Sequence, residues 1–144
     1  MQVRDAMSSD VIVVTPDQTL QTAAHLMQKF DSGFLPVGEN DKLVGMITDR
    51  DMAVRAIAFG KGPETKVREV MTHDVKYCFE DQDLTEVSRN MGEQQVRRLP
   101  VVNRDKRLVG VVSLGDVASA DGAERQAGTA LKGVARPGGP HRQT

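Results

Sequence analysis

The chain contains the stretch Gly45-Met46-Ile47-Thr48-Asp49-Arg50-Asp51 and repeats its pattern as Gly110-Val111-Val112-Ser113-Leu114-Gly115-Asp116. Both copies read glycine, two apolar residues, a hydroxyl residue, two variable residues and an aspartate. The apolar residues before the hydroxyl indicate a strand, and the residues after the aspartate indicate a helix. A phosphate at such a junction would accept hydrogen bonds from free backbone N–H groups, and the aspartate could accept hydrogen bonds from a ribose diol. The pattern therefore predicts a nucleotide site in each copy.

The two motifs belong to a longer internal duplication. At one constant offset, Val3-Arg4-Asp5-Ala6-Met7 aligns with Val67-Arg68-Glu69-Val70-Met71, and Leu35-Pro36-Val37 aligns with Leu99-Pro100-Val101. One extra residue in the second copy's turn then brings Asp51 onto Asp116. The predicted organisation is repeat 1 over residues 3–61, a linker over 62–66, repeat 2 over 67–121 and a glycine- and proline-rich basic tail over 122–144.

Each repeat predicts the element order β-α-β-β-α. The β-branched run Val11–Val14 ahead of Pro16 predicts a short strand, and Cys78 falls in the corresponding strand of repeat 2. A helix follows, with an apolar stripe at helical spacing. The stripe is formed by Leu20, Ala23, Ala24 and Met27, and in repeat 2 by Leu84, Val87, Ser88 and Met91.

A hairpin and a second helix complete each repeat. Turn residues Glu39–Lys42 separate two apolar runs, which predicts the hairpin. Pro36 and Pro100 lack an N–H donor, so we expect each at a sheet edge or at a gap in strand pairing. The apolar side of the second helix is predicted to consist of Met52, Val54, Ala56, Ile57 and Phe59, with Gly60 ending it.

One such repeat is too small to bury a good core alone. The predicted fold class is therefore α+β, with two β-α-β-β-α repeats packed sheet to sheet about a pseudo-twofold axis. A short helix is expected around residues 125–134, followed by a mobile tail of about eight residues.

Composition excludes several classes of function. The chain has 144 residues, a net charge of −1, 3% aromatic residues and no Trp, which is unlike a nucleic-acid-binding surface. No apolar run has the roughly 20 residues of a membrane span, so we expect no membrane partner. Because Cys78 is the single cysteine, a reducing cytoplasm is the expected location.

The residues alone leave the role of the repeated motif open. Thr48 with Asp51, and Ser113 with Asp116, also fit a capping box, which stabilises a helix start without any ligand. No metal site is predicted, because the three histidines show no ligand spacing with one another or with Cys78. No catalytic constellation is recognisable either, so the chain is not expected to be an enzyme. The histidines are His25, His73 and His141.

The Val-Arg-x-x-Met segments, the Leu-Pro-Val strands and the two Gly-x-x-[Thr/Ser]-x-x-Asp motifs together resemble the paired cystathionine-β-synthase (CBS) domain, or Bateman module. The resemblance covers about Val3 to Ala120. It implies a stand-alone regulatory module, such as an energy sensor, that binds AMP, ADP, ATP or S-adenosylmethionine in clefts between the copies. It also implies a homodimer, an unidentified regulated protein and no required cofactor. The alternative is a protein–protein interaction module that holds its partner with the clefts empty.

The resemblance also assigns provisional roles to individual residues. The hydroxyls would contact phosphate and the aspartates ribose, while Arg97 and Arg98 would reach the phosphates of repeat 2. Repeat 1 has Gly33-Phe34 in place of these arginines, so its site should favour a less anionic ligand or stay empty unless Arg50 and Arg55 supply the charge. The implied nucleotide-binding set is Thr48, Asp51, Arg97, Arg98, Ser113 and Asp116, together with Val11, Val75, Met46 and Val111 near the base.

Overall fold

The computed structural model describes residues 1–120 and 124–136. The chain forms two compact units, one from Ile12–Val75 and the other from Met1–Val11 together with the chain from Lys76 onward. Within the described ranges, no helix combines the length and the apolar character that crossing a membrane requires.

The unit Ile12–Val75 contains a helix, a hairpin and an irregular second helix. Its elements are α1 (Leu20–Phe30), β1 (Phe34–Glu39), β2 (Lys42–Thr48) and α2 (Asp49–Asp51), which continues as a π-helical turn, Met52–Ala56, and a 3₁₀ turn, Ile57–Phe59. β1 and β2 pair antiparallel. Asn40 and Asp41 join them with φ angles of 55° and 64°, the left-handed conformation of a two-residue hairpin turn. The predicted hairpin is confirmed.

The other unit repeats this order and adds a helix. Its elements are β3 (Cys78–Phe79), α3 (Leu84–Gln94), β4 (Arg98–Val102), β5 (Leu108–Ser113), α4 (Leu114–Ser119) and α5 (Glu124–Val134). β3 pairs parallel with β4, and β4 pairs antiparallel with β5. Each unit packs its helices against its strands over its own apolar core. The predicted α+β class is confirmed.

Both strand prolines lie at a gap in the hydrogen-bond ladder. Pro36 is opposite Met46, and the N–H and C=O of Met46 both bond to Thr72 instead, at 3.0 and 2.7 Å. Pro36 therefore has no ladder bond to donate, and its missing N–H costs nothing. Pro100 lies opposite Val111 in the same way. The expected pairing gap is confirmed in both copies.

The opening segment of each repeat packs on the sheet of the other repeat. Ser8 exchanges two backbone hydrogen bonds of 2.9 Å with Val111 of repeat 2, just as Thr72 does with Met46 of repeat 1. Each segment contains a 3₁₀ turn, Val3–Asp5 or Val67–Glu69, whose valine is fully buried. The compact units therefore differ from the contiguous stretches that the duplication defines in the sequence.

The predicted strand Val11–Val14 is wrong in extent. Only Val14 pairs, through a single parallel bridge to Val37, and the chain enters a turn at Pro16. The Val14 N–H donates to the Pro36 carbonyl oxygen and the Gly38 N–H donates to the Val14 carbonyl oxygen, so the pairing is confined to this one residue before the turn. The corresponding strand of repeat 2 has two residues, Cys78–Phe79.

The apolar side predicted for the second helix of repeat 1 is also largely wrong. Ala56 is buried and Met52 is partly buried, but Val54, Ile57 and Phe59 are 42%, 69% and 76% exposed. The π-helical turn Met52–Ala56 changes the angular spacing of the residues that follow, so a regular 3.6-residue period no longer predicts their direction. Gly60 ends the helix at a φ of 76°, as predicted.

A difference between α1 and α3 has a cause in α5. Ala24, predicted as part of the buried stripe, is exposed, whereas its counterpart Ser88 is buried. α5 packs against α3 and α4, and Gly133 lies so close to Gly92 that an added Cβ would be 2.3 Å from the Gly92 carbonyl oxygen. The helix predicted around 125–134 is thus present and packed. The predicted mobile tail lies outside the described residues.

Candidate functional site

In repeat 1, a reciprocal pair of hydrogen bonds joins the end of β2 to the start of α2. The Asp51 N–H donates to Thr48 Oγ1 at 3.0 Å, and the Thr48 N–H donates to Asp51 Oδ2 at 3.0 Å. This is a capping box, formed because the extended backbone of Thr48 aims its hydroxyl at the first helical turn. The hydroxyl and the carboxylate are therefore held together at the head of the helix.

Both members of this pair are almost fully buried, with exposures of 3% for Thr48 and 6% for Asp51. Burial raises the pKa of Asp51, while the hydrogen bonds from Thr48 and the charge of Arg55 act against that rise. Arg55 Nε lies 3.8 Å from Asp51 Oδ1. The same guanidinium donates to the Val70 carbonyl oxygen at 3.4 Å. Arg55 thus connects the carboxylate to the opening segment of repeat 2.

Repeat 2 contains the same capping box in a more open setting. The Asp116 N–H donates to Ser113 Oγ at 3.1 Å, and the Ser113 N–H donates to Asp116 Oδ2 at 2.9 Å. Both residues are partly exposed, and Ala120 occupies the position of Arg55. A ligand diol would therefore reach the Asp116 carboxylate more readily than that of Asp51.

The strand register places Arg98 where the duplication predicts it. Arg98 is opposite Ser113, just as Phe34 is opposite Thr48. Arg98 is partly buried, and Arg97, directly before β4, is exposed. The structure therefore brings two arginines to the same edge as the Ser113 hydroxyl, and repeat 1 has no arginine at these two positions.

Sequence reasoning missed Asp49. Its N–H donates to the Gly33 carbonyl oxygen at 2.9 Å, and its Oδ1 accepts the Arg50 N–H at 2.8 Å. The carboxylate lies against Gly33, where an added Cβ would be 2.7 Å from Oδ2. In repeat 2, the Leu114 N–H donates to the Arg97 carbonyl oxygen at 3.0 Å, so Leu114 corresponds to Asp49 and Arg97 to Gly33. The sequence did contain a signal for this contact. Repeat 1 has Gly33 with Asp49, whereas repeat 2 has an arginine and a leucine at the corresponding positions.

The predicted base-contacting residues lie in differing environments. Met46 is 1% exposed and pairs with Thr72 on one side and Pro36 on the other, as a strand residue of the interior. Val111 is partly exposed at the corresponding position of β5. Val11 and Val75 are partly buried and lie outside helices and strands.

The described part of the chain contains no group of three or more His, Cys, Asp or Glu side chains placed to hold a metal ion. His25 and His73 are exposed, and His141 lies outside the described residues. Cys78 is 3% exposed and belongs to the apolar core of its unit. Burial raises the pKa of this thiol to about 12, so it remains protonated at neutral pH.

Comparison with known proteins identifies both repeats. The CBS domain family matches residues 3–56 and 67–122. The CBS domain-containing protein YhcV of Bacillus subtilis is 41% identical over 132 residues, which is 92% of this chain and 94% of that protein.

Solved structures share the fold and include complexes with ligands. Hypoxic Response Protein I of Mycobacterium tuberculosis, solved with two coordinated zinc ions, is 38% identical with a TM-score of 0.74, over 82% of this chain and 97% of that one. The CBS domain pair of MJ0100, solved with 5′-methylthioadenosine and S-adenosyl-L-methionine, is 29% identical with a TM-score of 0.71, over 82% and 93%. CBSX2, solved with AMP, is 26% identical with a TM-score of 0.70, over 80% and 91%. The chain belongs to the CBS domain family.

Proposed function

We propose that this protein is a regulatory module without catalytic activity that binds an adenosine-containing ligand at its two strand-to-helix junctions. The observation that carries the proposal is the matched pair of junctions: each holds a hydroxyl and a carboxylate together at the head of a helix. Family members with the same fold have been solved with AMP, 5′-methylthioadenosine and S-adenosyl-L-methionine. AMP, ADP, ATP and S-adenosylmethionine are the ligands to test, and no cofactor is required.

The two junctions would have different occupants. In repeat 2, Ser113 and the arginines Arg97 and Arg98 would bind phosphate, and Asp116 would accept the ribose hydroxyls. In repeat 1, Thr48 would contact phosphate and Asp51 the ribose, but Gly33 and Phe34 replace the arginines, so this site would favour a less anionic ligand. The base would lie near Val11, Met46, Val75 and Val111.

A second function has its own support in repeat 1. Thr48 and Asp51 already satisfy each other, and Arg55 lies beside the carboxylate, so this junction is complete as a helix cap without a ligand. An interaction module that regulates a partner protein would need this junction only as a helix cap, with no ligand bound. Ligand binding and partner regulation are compatible, because a ligand that prefers one packing of the repeats shifts the population towards it.

A homodimer belongs to the same proposal. Ile57 and Phe59 are 69% and 76% exposed on one short turn, and Val54 precedes them at 42%. Burying these side chains against a second copy would remove apolar surface from water. Sedimentation velocity should show a dimer that Ile57→Ser with Phe59→Ser converts to monomer; a monomeric unaltered chain would refute this part. We also propose a cytoplasmic location, because a chain with a single cysteine cannot form an internal disulfide and suits a reducing compartment.

Thermal unfolding with and without AMP, ATP, 5′-methylthioadenosine and S-adenosylmethionine tests the proposal. A ligand at 100 times its dissociation constant should add about 2.7 kcal/mol, or roughly 5–10 °C for a chain of this size. Asp116→Ala should reduce the shift for phosphate-bearing ligands, because it removes the ribose acceptor of repeat 2. Gly128→Ala is the matched control, because Gly128 has open space around it. If none of these compounds raises the melting temperature of the unaltered protein, the ligand-binding function is refuted and the interaction module remains.

A further inference from the structure

The heads of the two second helices differ in one acceptor. In repeat 1, Asp49 Oδ1 accepts the Arg50 N–H at 2.8 Å, so the protein supplies its own anion at the start of α2. In repeat 2, Leu114 stands in place of Asp49 and offers no acceptor to the N–H of Gly115. An incoming phosphate would therefore compete with a carboxylate for the backbone N–H in repeat 1 and would face no such competitor at Leu114.

The position of the Asp49 carboxylate depends on the glycine at position 33. The Asp49 carboxylate fits because Gly33 has no side chain: a Cβ there would be 2.7 Å from Oδ2 and 3.0 Å from the carboxylate carbon. The corresponding residue of repeat 2 is the exposed Arg97, whose carbonyl oxygen accepts the Leu114 N–H as that of Gly33 accepts the Asp49 N–H. At corresponding positions, repeat 1 therefore combines a glycine with an aspartate, and repeat 2 combines an arginine with a leucine.

The side chains around the two capping boxes also differ in net charge. The repeat 1 junction carries two acids, Asp49 and Asp51, and two arginines, Arg50 and Arg55, so these four side chains have no net charge. Arg55 is already 3.8 Å from Asp51. The repeat 2 junction carries Arg97, Arg98 and the single acid Asp116, a net charge of one positive. Neutralising Asp49 would give repeat 1 the same net charge as repeat 2.

We propose that Asp49 determines ligand specificity by making repeat 1 reject phosphate-bearing adenosine compounds. Repeat 1 then takes an uncharged or cationic adenosyl compound, and repeat 2 takes a phosphate-bearing one. This inference rests on the proposed ligand-binding function and adds a residue and a chemical class to each site. The Asp49 carboxylate would repel a ligand phosphate placed next to it. It would also compete with that phosphate for the Arg50 N–H.

The test isolates repeat 1 by using Asp116→Ala as the background and measures dissociation constants for AMP and for 5′-methylthioadenosine, which lacks phosphate. Asp49→Asn keeps the acceptor but removes the charge, and Asp49→Leu, the residue of repeat 2, removes both. The affinity for AMP relative to 5′-methylthioadenosine should rise roughly three- to tenfold with Asn, and further with Leu. A ratio that stays constant in both variants would overturn the assignment.

A reciprocal pair of variants provides an independent check in repeat 2. Leu114→Asp and Leu114→Asn lose the same packing and differ by one charge, so any difference between them is electrostatic. Leu114→Asp should bind AMP roughly three- to tenfold more weakly than Leu114→Asn. Equal AMP affinities would count against the proposal even if the repeat 1 variants behave as expected. If neither compound binds to any variant or to the unaltered chain, it is the proposed function that fails.

Discussion

The contact between α5 and α3 yields a quantitative prediction at Gly133. A methyl group there would lie 2.3 Å from the Gly92 carbonyl oxygen and 2.5 Å from the Gly92 Cα. Carbon and oxygen atoms in contact are normally about 3.3–3.6 Å apart, so the helices would have to separate by about 1 Å. Both atoms belong to the backbone, which cannot rotate out of the way.

The separation should affect the whole docking of α5. Ala130 and Val134 are 0% and 6% exposed on this helix, and the Gln95 side chain donates to the carbonyl oxygens of Gly133 and Arg136 at 3.3 and 2.8 Å. Overpacking of this kind typically costs about 1–3 kcal/mol. An isolated helix of 11 residues is marginal in water, so α5 depends on this contact to stay folded.

Gly128 is the matched control on the same helix. An alanine Cβ there would have open space around it, so Gly128→Ala should stabilise the protein by roughly 0.5–1 kcal/mol through helix propensity alone. Gly133→Ala should destabilise it despite the same propensity gain. Thermal unfolding followed by circular dichroism suits a chain without Trp, and each kcal/mol should move the midpoint by roughly 2–5 °C. Equal stabilisation by the two alanines would refute the tight α3–α5 contact.

Three further predictions follow from individual side chains. The Cys78 thiol, protonated because burial raises its pKa to about 12, should react with a thiol reagent only after unfolding; prompt reaction in native buffer would contradict its burial. The pKa of Asp17 is lowered by its hydrogen bond from Arg68, so Asp17→Asn should reduce stability at neutral pH. The difference in stability between the two proteins should disappear as the pH falls below 3.8 and through the lowered pKa. Unfolding midpoints measured over a pH series check this. Thr48→Ala should cost about 1–2 kcal/mol in urea unfolding by removing a buried cap, whereas Thr48→Ser should keep it.

Local sequence signals were sufficient for much of the fold. Asn40 and Asp41 tolerate positive φ and give the hairpin turn, and the Thr48 and Asp51 spacing alone predicts the capping box that the structure contains. These features depend on residues within a few positions of one another. The α+β class could be predicted because each copy contains its own local strand and helix patterns.

The features that sequence reasoning missed depend on tertiary contacts. The exchange of Ser8 and Thr72 between repeats cannot be read from a duplication, because a repeat pattern does not say which copy a linking segment packs on. Ile57 lies outside the core because a π-helical turn precedes it. The position of Asp49 depends on its contact with Gly33. Gly33 lies directly before β1 and outside the repeated motif.

Calorimetric titration of AMP into the unaltered protein and into Asp116→Ala tests the central claim, that the repeated strand-to-helix junction is a ligand site, most directly. We predict saturable binding to the unaltered chain and a loss of at least tenfold in affinity with Asp116→Ala, because the ribose hydroxyls would lose their charged acceptor. Equal affinity in the two proteins, with Asp116→Ala still folded, would contradict the claim and leave Ser113 and Asp116 as a helix cap alone.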